Sequence, residues 1–469
     1  MKPPKFSDLV RSLKTLEQVS ANLETNEFTI VANPSYVYRP YDIYVMAPKV
    51  NTPRSRLTAI VKDMDGTTTT TEELCVHSLE FMVGRMANLD KQKGWKGLDH
   101  VKDLPHIIGN STTRHVEYLM ETYGDRIDLS SFRRSYFYAV LWTLQQGRDP
   151  GRREEVLSGI SAFGLRETLR DDAVKRFLSQ KEFEGSEAWK IVDSLNNRFS
   201  GTPRLDSFND KVRAAIDVYY QRYHEILAAI SQGKGGRLSK QILQNPDARL
   251  IEPMPGVAVF LAAVKGWLGE ELGRFGDILC EELKQRPKTK VSSEEIQKGI
   301  ALLPKLGEFL ERHPLRVAVV TSSIEYEARI VLSEVFKILY RQAESWDISP
   351  DRKEKTLERF VDFNKTYDAF ITATDSCEIR LKPHPDLYSL ALHRMGVPRE
   401  DFDAVIGFED SESGVRAIRA AGVGLCVALP FPFTTGHDLS AAAYVLDGGL
   451  PEVLIKYSLF LDRHQLLGE

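Results

Sequence analysis

One short apolar run lies far upstream of the other strand-like segments of this chain, and it is the feature that most constrains the fold. Residues 57–61 form a continuous β-prone run that ends in an acidic, glycine-containing turn at residues 62–66, a pattern typical of a buried parallel strand. From about residue 74 to 250 the pattern is helical, whereas strands and helices alternate beyond about residue 300. This order predicts an α/β fold whose parallel sheet is interrupted, just after its first strand, by an inserted α-helical domain.

The same patterns predict the boundaries of these parts. Later strands are expected at residues 317–320, 369–372, 404–407 and 424–429, and the helices between and after them at 324–339, 385–395 and 413–421. The predicted domains are an irregular N-terminal extension (1–55) that packs on the rest, an α/β core (56–73 and 250–469) with an extra helical insert at about 267–300, and an α-helical cap (74–249).

Composition excludes several classes of function. A chain of 469 residues is too long for one core, so at least two compact units are expected. Its 62 basic and 66 acidic side chains give a net charge of −4, which disfavours nucleic acid as the main partner. No stretch approaches the roughly 18 apolar residues of a membrane span, and the four cysteines form no CxxC pair. We therefore expect a cytoplasmic protein without a membrane or nucleic-acid partner.

Polar side chains follow the predicted strands where each one ends. In open α/β sheets, ligands bind beyond the carboxyl ends of the strands, so these side chains are expected to converge. They are Asp63 and Asp65 after the first strand, Thr321, Ser322 and Ser323 after the second, Lys382 beyond the third, and Glu409 and Asp410 after the fourth.

This set of side chains favours a metal site with a phosphate ligand. Asp63 and Asp65 are two residues apart, so in extended backbone both point the same way, and carboxylates that close repel unless a cation intervenes. Hard oxygen ligands favour Mg²⁺. Taken alone, Glu409 and Asp410 are also explained as acids at the start of a helix. Lys382, likewise, is either an exposed charge or a counter-charge to these acids.

Hydroxyl and backbone N–H groups where the second strand passes into its helix make a natural cradle for an anion. Thr321 and Ser322 are the candidates, although Ser322 and Ser323 are also explained as helix caps.

Four segments, in order, resemble the motifs of the haloacid dehalogenase-like superfamily of phosphotransferases. Residues 62–67 (KDMDGT) are similar to its first motif, DxDGT, and residues 319–323 (VVTSS) to its second. Residues 382–388 (KPHPDLY) and 407–414 (GFEDSESG) resemble the third and fourth motifs of the subfamily that contains β-phosphoglucomutase and phosphoglycolate phosphatase. The resemblance implies a Rossmann-like core with an inserted helical cap, here larger than in most relatives.

The resemblance also implies a role for each matching residue. Asp63 would be the nucleophile that forms an aspartyl-phosphate, and Asp65 the general acid and base. Thr321 and Lys382 would hold the phosphoryl oxygens. The Mg²⁺ ligands would be Asp63, the backbone carbonyl of Asp65 and Asp410, with Glu409 bound directly or through water.

The cap segment at residues 107–112 (IIGNST) also resembles that subfamily, and Arg114 just after it is a candidate substrate-binding residue or an exposed helix arginine.

The expected function is that of a Mg²⁺-dependent phosphatase acting on a small phosphorylated metabolite. A β-phosphoglucomutase-like phosphomutase would use the same residues, and a non-catalytic binding protein on the same fold is a third hypothesis. The identity of the substrate and the oligomeric state stay open at this stage.

Overall fold

The structure, a computed structural model, describes residues 27–33, 37–89, 95–243, 245, 249–286 and 288–467. Its strands are β1 (Phe28–Ala32), β2 (Tyr41–Val45), β3 (Ala59–Asp63), β4 (Thr69–Thr70), β5 (Glu252–Pro253), β6 (Arg316–Val320), β7 (Ala369–Ile371), β8 (Val405–Glu409), β9 (Leu425–Ala428) and β10 (Tyr444–Val445). Six of them form one parallel sheet in the order β10-β9-β8-β3-β6-β7. The predicted α/β fold with a parallel core sheet is confirmed.

The helices fall into two groups along the chain. Those between β4 and β5 are α1 (Glu72–Ala87), α2 (Leu104–Ile107), α3 (Thr112–Tyr123), α4 (Leu129–Gln146), α5 (Pro150–Ala162), α6 (Asp172–Leu178), α7 (Gly185–Arg198), α8 (Phe208–Ser231) and α9 (Gly235–Ile242). Those after β5 are α10 (Val257–Val264), α11 (Gly276–Lys284), α12 (Ser293–Arg312), α13 (Glu325–Glu344), α14 (Pro350–Phe360), α15 (Asp386–Arg394), α16 (Glu412–Ala420), α17 (Gly449–Ile455) and α18 (Arg463–Leu467). None of the helices in the described ranges is both long and apolar enough to cross a bilayer.

The strand β3 lies in the middle of the sheet and is buried along its whole length. Because successive side chains of a strand point to opposite faces, Ile60 packs into the large core shared with the helical insertion, whereas Ala59 and Val61 pack on the other face. The strand ends two residues later than the sequence suggests, because pairing with β6 continues to Asp63, opposite Val320.

The helical insertion leaves and returns to the core at one point. Thr69 and Thr70 of β4 pair antiparallel with Pro253 and Glu252 of β5, so the chain enters and leaves the insertion side by side. This ribbon lies directly beyond β3 and places the insertion over the carboxyl edge of the sheet, where the predicted site residues lie.

The N-terminal segment is more regular than expected. The strands β1 and β2 form an antiparallel hairpin, while residues 1–26 and 34–36 of the predicted extension lie outside the described residues. The outward side chains Ile30 and Ile43 are apolar and largely exposed, so the segment lacks the buried-apolar, exposed-polar alternation that identifies a strand.

Candidate active site

The carboxyl ends of three neighbouring strands bring the acidic residues together. Asp63 is the last residue of β3, and Thr321 follows the β6 residue that lies opposite it. On the other side of β3, the strand β8 ends at Glu409, with Asp410 next in the chain. The convergence expected from sequence is therefore present in the fold.

Lys382 lies between two of these carboxylates. Its Nζ donates to Oδ1 of Asp63 and, at 2.7 Å, to Oε1 of Glu409. The Tyr388 hydroxyl donates to the same Glu409 oxygen at 2.8 Å. Burial alone would lower the pKa of Lys382, but the adjacent carboxylates of Asp63 and Glu409 raise it above its ordinary value. The lysine is therefore a fixed cation inside the site.

Glu409 acts as an anchor behind the site. Its Oε2 accepts hydrogen bonds from the backbone N–H groups of Asp410 and Ser411 at 3.0 and 3.1 Å and from the Ser411 hydroxyl at 2.9 Å. Burial would raise the pKa of Glu409, but Lys382 and these hydrogen bonds lower it. Because both oxygens already have partners, the carboxylate holds the lysine and the loop rather than presenting a free ligand atom.

Asp63 presents an unsatisfied oxygen, and Asp410 lies close to it. Oδ2 of Asp63 is buried and has no hydrogen-bond partner among the described residues. Single oxygens of Asp63, Glu409 and Asp410 lie within 4.8 Å of one another. Burial raises the pKa of both aspartates, the neighbouring carboxylates raise it further, and Lys382 opposes these shifts only in part. A buried acceptor without a donor, beside a second carboxylate, is the environment that a hard divalent cation relieves.

Asp65 faces a different set of groups. Its Oδ2 accepts from the Thr321 hydroxyl at 2.8 Å and from the Ser323 hydroxyl at 3.4 Å, and its Oδ1 accepts from the Thr71 hydroxyl. The side chain is thus held by hydroxyl donors, away from the three-carboxylate group. The side chain of Asp65 is not part of that group, which agrees with the resemblance, since the resemblance implies that Asp65 binds a metal through its backbone carbonyl.

The environment of Thr321 differs from the sequence prediction. The residue is fully buried, and its hydroxyl donates to Asp65 and accepts from the backbone N–H of Ser323 at 2.9 Å. Ser322 and Ser323, but not Thr321, line the cavity beside the acids. The structure therefore gives Thr321 a positioning contact to Asp65, because its hydroxyl is already used within the strand-to-helix turn.

A glycine makes the close approach of two further acids possible. Gly66 has φ of +79°, and a Cβ there would lie 2.1 Å from Oδ2 of Asp410 and 2.8 Å from Oε1 of Glu72, closer than any real contact. Glu72 also accepts from the backbone N–H of Thr71 at 3.0 Å. Burial, with the charge of Asp65, raises the pKa of Glu72 to about 8. Glu72 is a site residue that sequence reasoning missed.

Above these residues lies a cavity of about 790 Å³, mouth included, closed by the helical insertion. The core side contributes Asp63, Asp65, Thr71, Ser322, Ser323, Glu327, Lys382, Asp410 and Ser411. The insertion contributes Glu72, Cys75, Ile108, Gly109, Asn110, Thr112, His115, Tyr219 and Tyr223. The acids and the lysine thus line one cavity together with hydroxyl groups of the helical insertion.

Arg114 does not join this set. Its guanidinium donates to Glu117 at 3.1 Å and to the carbonyl of Ala32 at 3.2 Å. It lines a neighbouring cleft, which shares only Asn110 and Lys382 with the main cavity. Of the two roles that the sequence allowed for Arg114, an exposed helix arginine describes its position better than a substrate-binding residue of the main cavity.

Several other side chains of the site carried weak sequence signals. Tyr388 lies inside the third motif. Tyr219 and Tyr223 belong to the apolar face of the amphipathic helix α8, where a tyrosine hydroxyl is the feature that could have indicated a binding role. Glu327, in the first turn of α13, is 4% exposed and lines the cavity. No local pattern separates it from the surface glutamates of the same helix.

Comparison with known proteins gives a local sequence match and distant structural likenesses. No family model matches the chain. Over 61 residues the chain is 44% identical to "Protein CbbY" of Rhodobacter capsulatus, a stretch covering 13% of this chain and 25% of that protein. The chain thus spans about a quarter of the length of the curated relatives it matches.

The solved structures are similar over more of the chain but with low scores. CbbY from Rhodobacter sphaeroides, in complex with phosphate, has a TM-score of 0.38 at 16% identity, with 85% of this chain and 96% of that chain covered. A β-phosphoglucomutase from Clostridium difficile has a TM-score of 0.34 at 12% identity, covering 88% and 98%. At these values the residues of the site, rather than the likenesses, support an assignment of function.

Proposed function

We propose that this chain is a haloacid dehalogenase-like phosphatase that hydrolyses a small phosphorylated metabolite with the help of Mg²⁺. The observation that carries the proposal is the state of Asp63: one oxygen is held by Lys382, while the other is buried without a hydrogen bond beside Asp410, in a residue that lines the cavity. A carboxylate with one fixed and one unsatisfied oxygen is oriented for attack on phosphorus. The ordered motifs and the local match to CbbY support the same assignment.

The proposed reaction has two steps. An oxygen of Asp63 bonds to the phosphorus as the ester P–O bond breaks, and Asp65 gives its proton to the leaving oxygen. Asp65 then takes a proton from water, whose oxygen bonds to the phosphorus as the Asp63–phosphorus link breaks. Splitting one hydrolysis into two transfers is covalent catalysis, and the hydroxyls of Thr321 and Thr71 hold Asp65 ready for both proton transfers.

Positive charge at the phosphoryl end comes from two sources. Lys382 supplies one charge, fixed between Asp63 and Glu409. Asp63, Asp410 and the backbone carbonyl of Asp65 would hold Mg²⁺, which supplies charge against the phosphoryl oxygens when bound. Glu409 contributes indirectly by orienting Lys382 and the backbone of Asp410, and Ser322 is the closest match to the predicted phosphoryl-oxygen donor because it lines the cavity.

Replacement of the nucleophile tests the proposal directly. We expect Asp63→Asn to reduce turnover of p-nitrophenyl phosphate by about 10³-fold or more, because an amide oxygen is a poor nucleophile. Thermal unfolding should show a folded variant, since Lys382 keeps its ion pair with Glu409. The control is Asp347→Asn, whose side chain is fully exposed. Undiminished turnover in the Asp63 variant would remove this residue from the nucleophile role.

Removal of the metal tests the proposed dependence of the reaction on Mg²⁺. Chelation with EDTA should abolish turnover of the aryl phosphate, and added Mg²⁺ should restore it, because the adjacent buried carboxylates of Asp63 and Asp410 otherwise repel a phosphate dianion. The measurement is the initial rate before and after dialysis against chelator, with Ca²⁺ as a control for charge alone. A rate indifferent to chelation would contradict the metal site.

A phosphomutase built on the same residues is distinguished by its product. Transfer of the phosphoryl group back to a sugar requires a sugar bisphosphate primer and yields an isomeric sugar phosphate, whereas a phosphatase releases inorganic phosphate. Beryllofluoride binding that depends on Mg²⁺ would separate either enzyme from a non-catalytic binding protein.

A further inference from the structure

We propose that the cavity selects substrates with a single anionic group, and that Glu327 is the residue that sets this preference. This inference rests on the proposed phosphatase function and adds the substrate class. The class is a phosphate monoester whose leaving group carries hydroxyls or an amine but no second phosphate or carboxylate.

The position of Glu327 is fixed from two sides. It stands in the first turn of α13, which follows β6, and its Oε1 is 2.8 Å from Nε2 of His224 on α8 of the insertion. Both side chains are nearly fully buried, with 3% of His224 and 5% of Glu327 exposed. Glu327 lines the cavity and His224 does not. The core therefore extends a carboxylate under the cap, and the cap holds it there.

Several other side chains that the helical insertion contributes to the lining are neutral. They are the hydroxyls of Thr112, Tyr219 and Tyr223, the thiol of Cys75, and the imidazole of His115. Burial lowers the pKa of His115 to about 4, against the carbonyls of Asn110 and Ile107, which raise it only in part, so the ring adds no positive charge near neutral pH. Hydroxyl groups that both donate and accept suit a hydroxylated leaving group.

Positive charge in this cavity is confined to the phosphoryl end. Among the described residues that line it, Lys382 is the only lysine or arginine, and it already pairs with Asp63 and Glu409. Arg114 lies in the neighbouring cleft and pairs with Glu117. A second phosphate would therefore be buried without a partner cation, which is unfavourable.

Negative charge, by contrast, is in excess. Besides Glu72, whose raised pKa of about 8 leaves it mostly protonated near neutral pH, the lining holds the carboxyl groups of Asp63, Asp65, Asp410 and Glu327. The dianion of one phosphoryl group can be matched by Lys382 and a divalent cation, but a second anion would meet no further lysine or arginine in the lining. It would share a space shielded from solvent with the Glu327 carboxyl group, whose Oε1 already pairs with His224, and an anion buried without a partner cation is unfavourable. A phosphomutase must accommodate a bisphosphate, so this lining also favours the phosphatase over the mutase.

The test compares matched substrate pairs that differ by one anionic group. Glycerol 1-phosphate and 3-phosphoglycerate differ by a hydroxymethyl and a carboxylate group, and fructose 6-phosphate and fructose 1,6-bisphosphate differ by one phosphate. We expect kcat/KM to be about tenfold or more higher for the singly anionic member of each pair, because the excluded group would be buried unpaired. Equal or inverted values would overturn the inference.

Two variants of α13 test whether Glu327 causes the preference for substrates with one anionic group. Glu327→Gln keeps the size of the side chain. It should lower several-fold the ratio of kcat/KM for the singly anionic substrate to kcat/KM for its partner with two anionic groups. Glu325→Gln, on the same helix but exposed and paired with Arg329, should keep the wild-type ratio. A Glu327→Gln variant that is folded by circular dichroism and keeps the wild-type ratio would remove Glu327 from the role. If it does not fold, the substrate pairs still decide the inference with the wild-type protein.

The two proposals fail in different ways. If p-nitrophenyl phosphate is not hydrolysed at all in the presence of Mg²⁺, the proposed function fails. If the aryl phosphate is hydrolysed but the matched pairs show no preference, only the inference about the substrate class fails.

Discussion

Buried titratable side chains dominate the site at the scale of single residues. Lys382 is stabilised as a cation by two carboxylates, whereas His115 has no acidic neighbour that opposes its burial. Of these two buried basic side chains, Lys382 is therefore charged near neutral pH and His115 is uncharged. The cause is the presence or absence of an opposite charge within a few ångströms.

The buried His115 should make stability depend on pH. Its pKa falls from 6.5 to about 4 on folding because of burial, so between these values the unfolded chain binds a proton that the folded chain does not. The contribution to the free energy of unfolding is therefore full above pH 6.5 and is lost as the pH falls towards 4. The slope reaches at most about 1.4 kcal/mol per pH unit.

Urea unfolding at pH 7.5 and pH 4.5 measures this contribution. His115→Gln should reduce the difference between the two stabilities by about 2 kcal/mol, according to the same slope. His393→Gln, at an exposed position of α15, should leave that difference as in the wild type. An unchanged difference in the His115 variant would contradict the assigned direction of the pKa shift.

At the scale of elements, close packing of backbone on backbone fixes the insert that follows α10. The helix α12 crosses the turn at residues 269–275 so closely that a Cβ at Gly307 would lie 1.8 Å from the carbonyl oxygen of Gly269. On the same helix, a Cβ at Gly299 would lie 1.9 Å from the carbonyl oxygen of Ile455 in α17. Two glycines on one helix therefore let it lie against two different parts of the core.

Adding one methyl group at this crossing should be costly. We expect Gly307→Ala to lower the free energy of unfolding by about 2–4 kcal/mol, because backbone atoms cannot move aside as a flexible side chain can. The control is Gly124→Ala, where φ is −55° and no atom lies within 4 Å of the added Cβ. There the change should be neutral or stabilising by about 0.5 kcal/mol. Chemical denaturation measures the free energy of unfolding of both variants. Equal values for Gly307→Ala and Gly124→Ala would contradict the close crossing of α12 and the turn.

At the scale of the whole molecule, the N-terminal hairpin joins parts that are distant in sequence. The Tyr44 hydroxyl is 2.7 Å from Nδ1 of His384, next to the loop that carries Lys382, and Arg114 of the insertion donates to the carbonyl of Ala32. The hairpin thus contacts both the loop that carries Lys382 and the insertion. The fully buried Arg419 bonds to Glu27 and Ala47, which flank the hairpin in the chain.

Loss of the Arg419 guanidinium should release the hairpin. This group donates to the carbonyls of Ala47 and Ala441 at 2.6 Å each, and to Glu27 at the same distance. We expect Arg419→Met to lower stability by about 3 kcal/mol, because buried acceptors lose their donor. In this variant, protease should cleave the segment before β3 earlier than the rest of the chain.

Limited proteolysis followed by mass spectrometry of the fragments measures this release. Arg416→Met is the matched control, since Arg416 lies on the same helix but is partly exposed and bonds only to Glu412 and Asp438 among the contacts described. Identical digestion of the two variants would show that Arg419 does not anchor the N-terminal segment.

Much of the fold could be predicted because its signals are local. Continuous apolar runs identified five of the six strands of the core sheet to within about two residues, and only the short strand β10 was not predicted. The N-terminal hairpin was not predicted, because its exposed apolar face breaks the usual alternation. The proposed domain boundaries stay predictions.

The sequence by itself determined which residues stand at the carboxyl ends of the strands, and so which of them meet. Asp63, Asp65, Lys382 and Asp410 follow from strand order, because parallel strands bring their carboxyl ends to one edge whatever the loops do. Only the tertiary structure decided what each of them contacts there. Thr321 gives its hydroxyl to Asp65, and Glu327 lies under the cap. Such contacts depend on how a helical insertion, remote along the chain, packs over the sheet, and no local pattern encodes that approach.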